Sequence, residues 1–371
     1  MTMNLPPFKL ERYFAKYEFN TEFILCSSDC EAMSVADLLA MEPGSAQKFQ
    51  QTWLGYTESL GHPALRKEIA RIYETIQPEE ILVHTGAEEA IFLFMLAALK
   101  ENDHVIVHAP HYQSLSEIAK GMGCGVSLWQ AREEINWSLD LDELRHLIRS
   151  TTKAIVINTP HNPTGYLMSK TDFEAVHQIA KENDLLLFCD EVYRESEYDP
   201  SLRLPAGCDM GEHAVSLGVT SKTYGLAGLR IGWIATKNRT VYEKMAGLKD
   251  YTTICNSAPS EFLAEVALRN RQKLVARNVG IIKSNLEIVD DLFARHSNLF
   301  EWVRPAAGSM GFPQLLKGDV EDFCDELVKK SGVLLLPGSM YEDSNNHFRI
   351  GLGRKNLPQA VEQLENYLSK N

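Results

Sequence analysis

The chain has 371 residues, 44% hydrophobic and 23% charged, which supplies core for one large or two medium domains and excludes a disordered chain. With 50 acidic residues against 37 lysines and arginines, the net charge is −13. That balance argues against a nucleic-acid or anionic-membrane surface and favours small solutes as partners.

In chain order, the opening "MTMNLPPFKLERYF" lacks the charged and apolar regions of a secretory signal, and residues 1–45 carry no sheet pattern of their own. Seven scattered cysteines (Cys26, Cys30, Cys124, Cys189, Cys208, Cys255, Cys324) make no disulfide framework, and the Cys26/Cys30 pair has no partners for zinc, so no metal is expected. From residue 79 onward short β-rich runs alternate with helical patterns. "ILVH" leads through Thr85-Gly86 into "AEEAIFLFMLAAL", "HVIVHAP" into "YQSLSEIAKGMG", and "GVSLWQ" into "DLDELRHLIRS". The run "AIFLFMLAALK" falls short of the roughly 20 residues a bilayer span needs, and a cytoplasmic location is expected. "KAIVINTP" then passes the turn "HNPTG" to a helix capped by Ser169, whose stripe is Phe173, Val176, Ile179 and Ala180. "LLLFCDEVY", "AVSLGVTSK" and "RIGWIATK" follow. This alternation predicts an α/β fold, a mostly parallel sheet with helices on both faces. Beyond Thr236 the pattern predicts helices over 241–250 and 259–295, then a smaller α+β domain. The expected division is a large domain over 46–250 and a small one built from 1–45 and 251–371.

Ligands of open parallel sheets sit off the carboxyl ends of the strands. Gly86, Tyr112, Asn162, Asp190, Tyr193 and Lys222 all fall at such ends. Singly, several have ordinary alternatives: Gly86 as a hinge, Asn162 as an Asx turn before proline, Tyr112 as surface packing. Asp190 is different, because a carboxylate closing a buried strand needs a cation or hydrogen-bond donors. Lys222 also closes an apolar strand. A lysine amine in a low-polarity pocket can lose its proton and condense with an aldehyde to a Schiff base. A pyridine aldehyde needs an anion at its ring nitrogen, and its phosphate wants helix N-terminal amides and a forked cation.

With "TGAEE", "PHY", "HNPTG", "CDEVY" and "SKTYGLAGLR" in this order, the chain from about Tyr56 to the C-terminus resembles the fold-type I pyridoxal-phosphate enzymes of the class I/II aminotransferase family. The resemblance implies the following roles. Lys222 is the Schiff-base lysine and proton shuttle, and Asp190 pairs with the pyridine nitrogen. Tyr193 and Asn162 hydrogen-bond the ring oxygen, and Tyr112 stacks on the ring. Gly86, Ala87 and Glu88 hold the phosphate by their amides, with the Glu88 carboxylate turned away, and Ser221 and Arg230 complete the cup. Glycines 225, 228 and 232 then let the backbone fold tightly enough for Lys222 and Arg230 to grip the two ends of one cofactor. Tyr56 resembles the tyrosine that reaches the partner subunit's phosphate, which implies a homodimer. Arg349 resembles the arginine that binds the substrate α-carboxylate. The implied reaction moves an amino group between an α-amino acid and a 2-oxo acid.

Two features depart from the family pattern. Val219 stands where glycine or serine is usual, leaving Thr220 as the substitute phosphate hydroxyl, and residues 25–39, which the resemblance places along the substrate pocket, lack the common Asn-Pro. The stretches "HAPHYQSL", "PHNPTG" and "KDYTT" are similar to the branch containing capreomycidine synthase, so a β-elimination lyase or cyclase is the alternative. Arg269 and Arg271 are read as solvated and are not assigned to a substrate side chain. A cofactor-sensing regulator is disfavoured, since no helix-turn-helix pattern precedes residue 56 on this acidic chain.

Overall fold

The computed structural model describes residues 3–370. A short helix, α1 (Lys9–Tyr17), precedes the first strand of a seven-stranded sheet. The sheet strands in chain order are β1 (Ile81–His84), β2 (His104–Ala109), β3 (Gly125–Gln130), β4 (Thr152–Asn158), β5 (Leu186–Asp190), β6 (Ala214–Val219) and β7 (Gly232–Ala235). Their spatial order is β1-β7-β6-β5-β4-β2-β3, and only β7 runs antiparallel to its neighbours. The expected mostly parallel sheet is therefore present.

Both faces are covered, which is why these strands read as continuous apolar runs. Val105, Val107 and Val156 face one core with Phe94 and Phe188, whose rings lie 4.4 Å apart. Ile106, Ile155 and Ile157 point the other way, onto Phe173, Val176, Ile179 and Ala180 of the helix Lys170–Glu182. Ser169 caps that helix by accepting from the Asp172 amide, as its sequence predicts. Helix α2 (Gly86–Ala98) follows β1 directly, so its N-terminus sits at the sheet's ligand-binding edge.

The long helical pattern over 259–295 is two helices, Ala258–Arg269 and α3 (Arg271–Arg295). Asn270 separates them: its side-chain amide donates to the Val266 carbonyl, a local bond that competes with the helix ladder. The first of these helices, with Leu38 and Leu39, shares a core with Val83 of β1 and Trp233 of β7. A separate core gathers Leu25, Ile282, Leu286, Leu327, Phe348 and Ile350. There, strand β10 (Phe348–Gly351) lies between β8 (Met310–Gly311) and β9 (Leu336–Pro337). Residues Phe23–Ile24, from a stretch without a sheet pattern of its own, pair with Val333–Leu334.

Candidate active site

A cavity of about 410 Å³ opens at the carboxyl ends of the strands. Its lining includes Ala87, Glu88, Tyr112, Asn162, Asp190, Tyr193, Ser221, Lys222, Arg230 and Arg349, ten of the residues singled out from the sequence.

Lys222 and Arg230 lie on the connection between β6 and β7. That connection closes at its base with Thr220 N–H donating to the Ile231 carbonyl at 3.0 Å. Because β7 pairs with both β6 and β1, with Gly232 opposite Val219 and His84, the connection ends beside the start of α2. Gly86 has φ +81°, and a Cβ there would stand 2.7 Å from Arg230 Nη2, so the guanidinium rests against the helix N-terminus because position 86 has no side chain. The N-cap Thr85 makes no side-chain cap bond to α2, and Glu89 accepts only from the Thr85 backbone N–H at this helix end. Its first amides and the Arg230 fork thus form an anion-binding corner. Gly225 (φ +68°) and Gly232 are likewise required, because a Cβ on either would stand 2.6 Å from a backbone atom. Gly228 is not: a Cβ there meets nothing within 4 Å.

The Glu88 carboxylate accepts from Ser114 Oγ at 3.2 Å while still lining the cavity. Burial pushes its pKa up to about 7 against the Ser114 bond, with Glu11 and Asp190 adding repulsion, so it is readily neutral beside an anion. Thr220 cannot stand in for a phosphate hydroxyl at Val219: its Oγ1 already donates to the Ile231 carbonyl at 3.0 Å, and the residue is fully buried.

Asp190 ends β5 and turns into the cavity, whereas its neighbour Glu191 turns the other way, accepting from Gly207 N–H and Ser216 Oγ. Burial raises the Asp190 carboxyl to about 7, with the Val192 amide and Lys222 opposing and Glu191 adding to the rise. Lys222 Nζ donates to Ser28 Oγ at 2.9 Å. Its pKa is lowered by burial, with Asp29 opposing, Arg349 adding to the fall, and Asp190 and Glu11 opposing. Tyr193 is 1% exposed, and its hydroxyl lies against the Ser28 side chain but completes no hydrogen bond of good geometry among the described residues.

Arg349, 1% exposed on β10, anchors its Nε on the Cys26 carbonyl at 2.8 Å. Its Nη1 bonds the Tyr341 hydroxyl and reaches Asn162 Oδ1 at 3.3 Å. Tyr341 also donates to Asn162 Oδ1 at 3.0 Å, leaving the Asn162 amide nitrogen and Arg349 Nη2 for other partners. Tyr112 stands against Phe8, ring centroids 5.0 Å apart, and donates to Glu11.

Tyr56 is not at this cavity in the single chain. It is 84% exposed beside Trp53 and Leu54, each about 80% exposed. Arg269 and Arg271 are also elsewhere: the first pairs with Glu42 and Glu265, the second lies 3.5 Å from Glu195.

Three participants escaped the sequence reading. Asn158 closes β4 as Asp190 closes β5, and its amide ties the Asn162 N–H (2.7 Å) to the Asp190 carbonyl (2.9 Å). The rule that picked Asp190, a polar residue ending an apolar strand, also picks Asn158. Ser28 lies in the stretch 25–39 that the resemblance places along the substrate pocket, though nothing there singles it out, and Tyr341 carries no such local signal.

The chain is 34% identical to a PLP-dependent aminotransferase from Streptococcus suis 89-1591 of known structure, with a TM-score of 0.93 over 99% of both chains. The PLP-dependent cyclase OrfR superposes with a TM-score of 0.90 at 27% identity, over 99% of this chain and 98% of that one. Capreomycidine synthase of Streptomyces vinaceus is 28% identical over 94% of this chain and 89% of its own length. The description "Aminotransferase class I and II" matches residues 22–364, and the chain belongs to this family of pyridoxal-phosphate-dependent enzymes.

Proposed function

We propose that this protein is an aminotransferase that moves an amino group from an α-amino acid to a 2-oxo acid. The observation that carries the reading is the convergence of the Lys222 amine, the Asp190 carboxylate and the Arg349 guanidinium on one cavity. The residues suit pyridoxal phosphate. An enclosed Tyr193 hydroxyl that completes no hydrogen bond of good geometry and a glycine cradle under Arg230 are both features a ligand would use.

When bound, pyridoxal phosphate supplies an aldehyde that captures amines and a ring that withdraws electrons from the substrate Cα. In this reading the amides of Gly86, Ala87 and Glu88, the Ser221 hydroxyl and Arg230 hold the phosphate. Asp190 accepts the hydrogen bond of the ring-nitrogen proton and keeps that proton in place. The Tyr193 hydroxyl and Asn162 Nδ2 donate to the ring oxygen, and Tyr112 covers the ring face. Arg349 Nη2 binds the substrate carboxylate, oriented by Tyr341 and Asn162. Lys222 Nζ is the nucleophile that engages the aldehyde. The same amine, whose pKa burial has lowered, would take up and return the proton of the substrate Cα.

A second reading, a lyase or cyclase acting at the β-carbon, is favoured by the likeness to capreomycidine synthase and to the cyclase OrfR. It uses the same residues. The two are separated by mixing the loaded enzyme with amino acids and no oxo acid. Transamination consumes one equivalent of amino acid and stops in the pyridoxamine form; sustained ammonia release establishes the lyase instead. Borohydride reduction should fix the cofactor on Lys222, and the Lys222→Ala variant should trap none and turn over nothing.

We also infer a homodimer, with Trp53, Leu54, Tyr56 and the 90%-exposed Tyr251 in the interface and Tyr56 reaching the partner's phosphate site. The seven unpaired cysteines suit the cytoplasm.

A further inference from the structure

We infer that the amino donor carries a cationic side chain, a guanidinium or an ammonium, seated against an acidic wall that α1 and the loop at Asp29 bring over Lys222. The inference rests on the aminotransferase reading and names the substrate class of that same cavity.

The cavity's cations are already engaged in that reading. Lys222 serves the chemistry, Arg230 the phosphate and Arg349 the α-carboxylate, and the lining holds no further lysine or arginine to receive a side-chain carboxylate. The acids outnumber them. Besides Asp190 and Glu88, the wall carries Glu11, Glu18 and Asp29. Glu11, Phe14 and Glu18 follow the spacing that puts residues on one helix face, and all three line the cavity.

Of these three wall acids, only Asp29 has a cationic partner among the described residues. Asp29 accepts from Arg354 Nη2 at 2.8 and 3.0 Å, and among the described residues Glu11 accepts only from the Tyr112 hydroxyl at 3.2 Å. The Glu18 carboxylate has neither an ion pair nor a hydrogen bond among those of the described residues. Its pKa is raised by burial, with Asp29 and Glu11 adding repulsion and Arg354 opposing. One bound cation relieves that repulsion, whereas an anionic side chain compounds it. The ligand site itself does not rest on the acids: Tyr193, 1% exposed with a hydroxyl that completes no hydrogen bond of good geometry, lines the same cavity.

The test is a donor profile of the loaded wild-type enzyme with one 2-oxo acid acceptor. L-Arginine and L-lysine are compared with L-leucine and L-glutamate. At least one basic donor should exceed L-glutamate in kcat/KM by roughly a hundredfold, a bias on the scale of favourable against repulsive charge contacts. Glu18→Gln should cut kcat/KM for basic donors about tenfold more than for L-leucine. Arginine against lysine separates a guanidinium seat from an ammonium seat. An enzyme preferring L-glutamate or L-leucine, or a Glu18→Gln variant with an unchanged donor profile, overturns the inference and leaves the aminotransferase reading standing. An enzyme that takes up cofactor but converts no donor overturns the aminotransferase reading. Charge preference is then read from calorimetric Kd values, where affinity for L-glutamate equal to or above that for both basic amino acids overturns the inference too.

Discussion

Replacing Gly86 by alanine tests the link between a missing side chain and cofactor grip. The residue sits at φ +81°, where a Cβ costs about 1–2 kcal/mol, a fall in melting temperature of roughly 2 °C for a chain of this size. The larger effect falls on binding. The new methyl would stand 2.7 Å from Arg230 Nη2. Since that nitrogen is the end of a flexible side chain, the guanidinium swings away from the α2 N-terminus rather than breaking the fold. Loss of one hydrogen bond to a charged group is worth about 1.5–3 kcal/mol, so Kd for pyridoxal phosphate should rise between roughly tenfold and a hundredfold. Equilibrium dialysis of the apoprotein against the cofactor measures it, with Gly228→Ala as control, because a Cβ there meets nothing within 4 Å. Gly86→Ala binding within twofold of wild type, or Gly228→Ala losing as much, would refute the argument.

Val219→Ser restores a hydroxyl at the cavity wall that Thr220 cannot supply, and should tighten cofactor binding by roughly threefold to tenfold in the same dialysis; weaker binding would show that position 219 does not face the phosphate. His347 lies 2.9 Å from both Glu133 and Asp343. Burial works against its charge, but the two carboxylates more than offset that and raise its pKa to about 9 from an ordinary 6.5. A raised pKa means the charged pairing stabilises the fold fully below about pH 6.5 and fades as pH climbs through 9. The melting-temperature advantage of wild type over His347→Gln should therefore shrink between pH 6.5 and 9.5, and an advantage constant over that range would sink this reading.

What could be read locally was read from residues whose neighbours in sequence are also their neighbours in function. Strands β4 and β5 are buried on both faces, so their apolar runs end sharply, and the polar residue that closes each, Asn158 and Asp190, points to the ligand edge. That logic reached Asp190 and Lys222 and was applied too narrowly to reach Asn158. It overreached at Gly228, because a glycine's presence does not reveal whether anything approaches it. The break at Asn270 was hidden because a single side-chain bond to Val266 makes it within a helical pattern that continues on both sides. Tyr341 is another kind of miss. It meets Asn162 across 179 positions, carried there by the strands that also deliver Arg349, and no spacing encodes such a meeting. The same holds for Ser28, Asp29 and the acids of α1, which reach Lys222 only because the small-domain strands and the N-terminal helix close over the sheet edge. The cofactor half of the site is therefore written in short motifs on one sheet, while the donor half is assembled by long-range packing. That separation is why members of one family can share the first and differ in the second, and why this chain's acidic wall, rather than its motifs, bears on which amine it accepts.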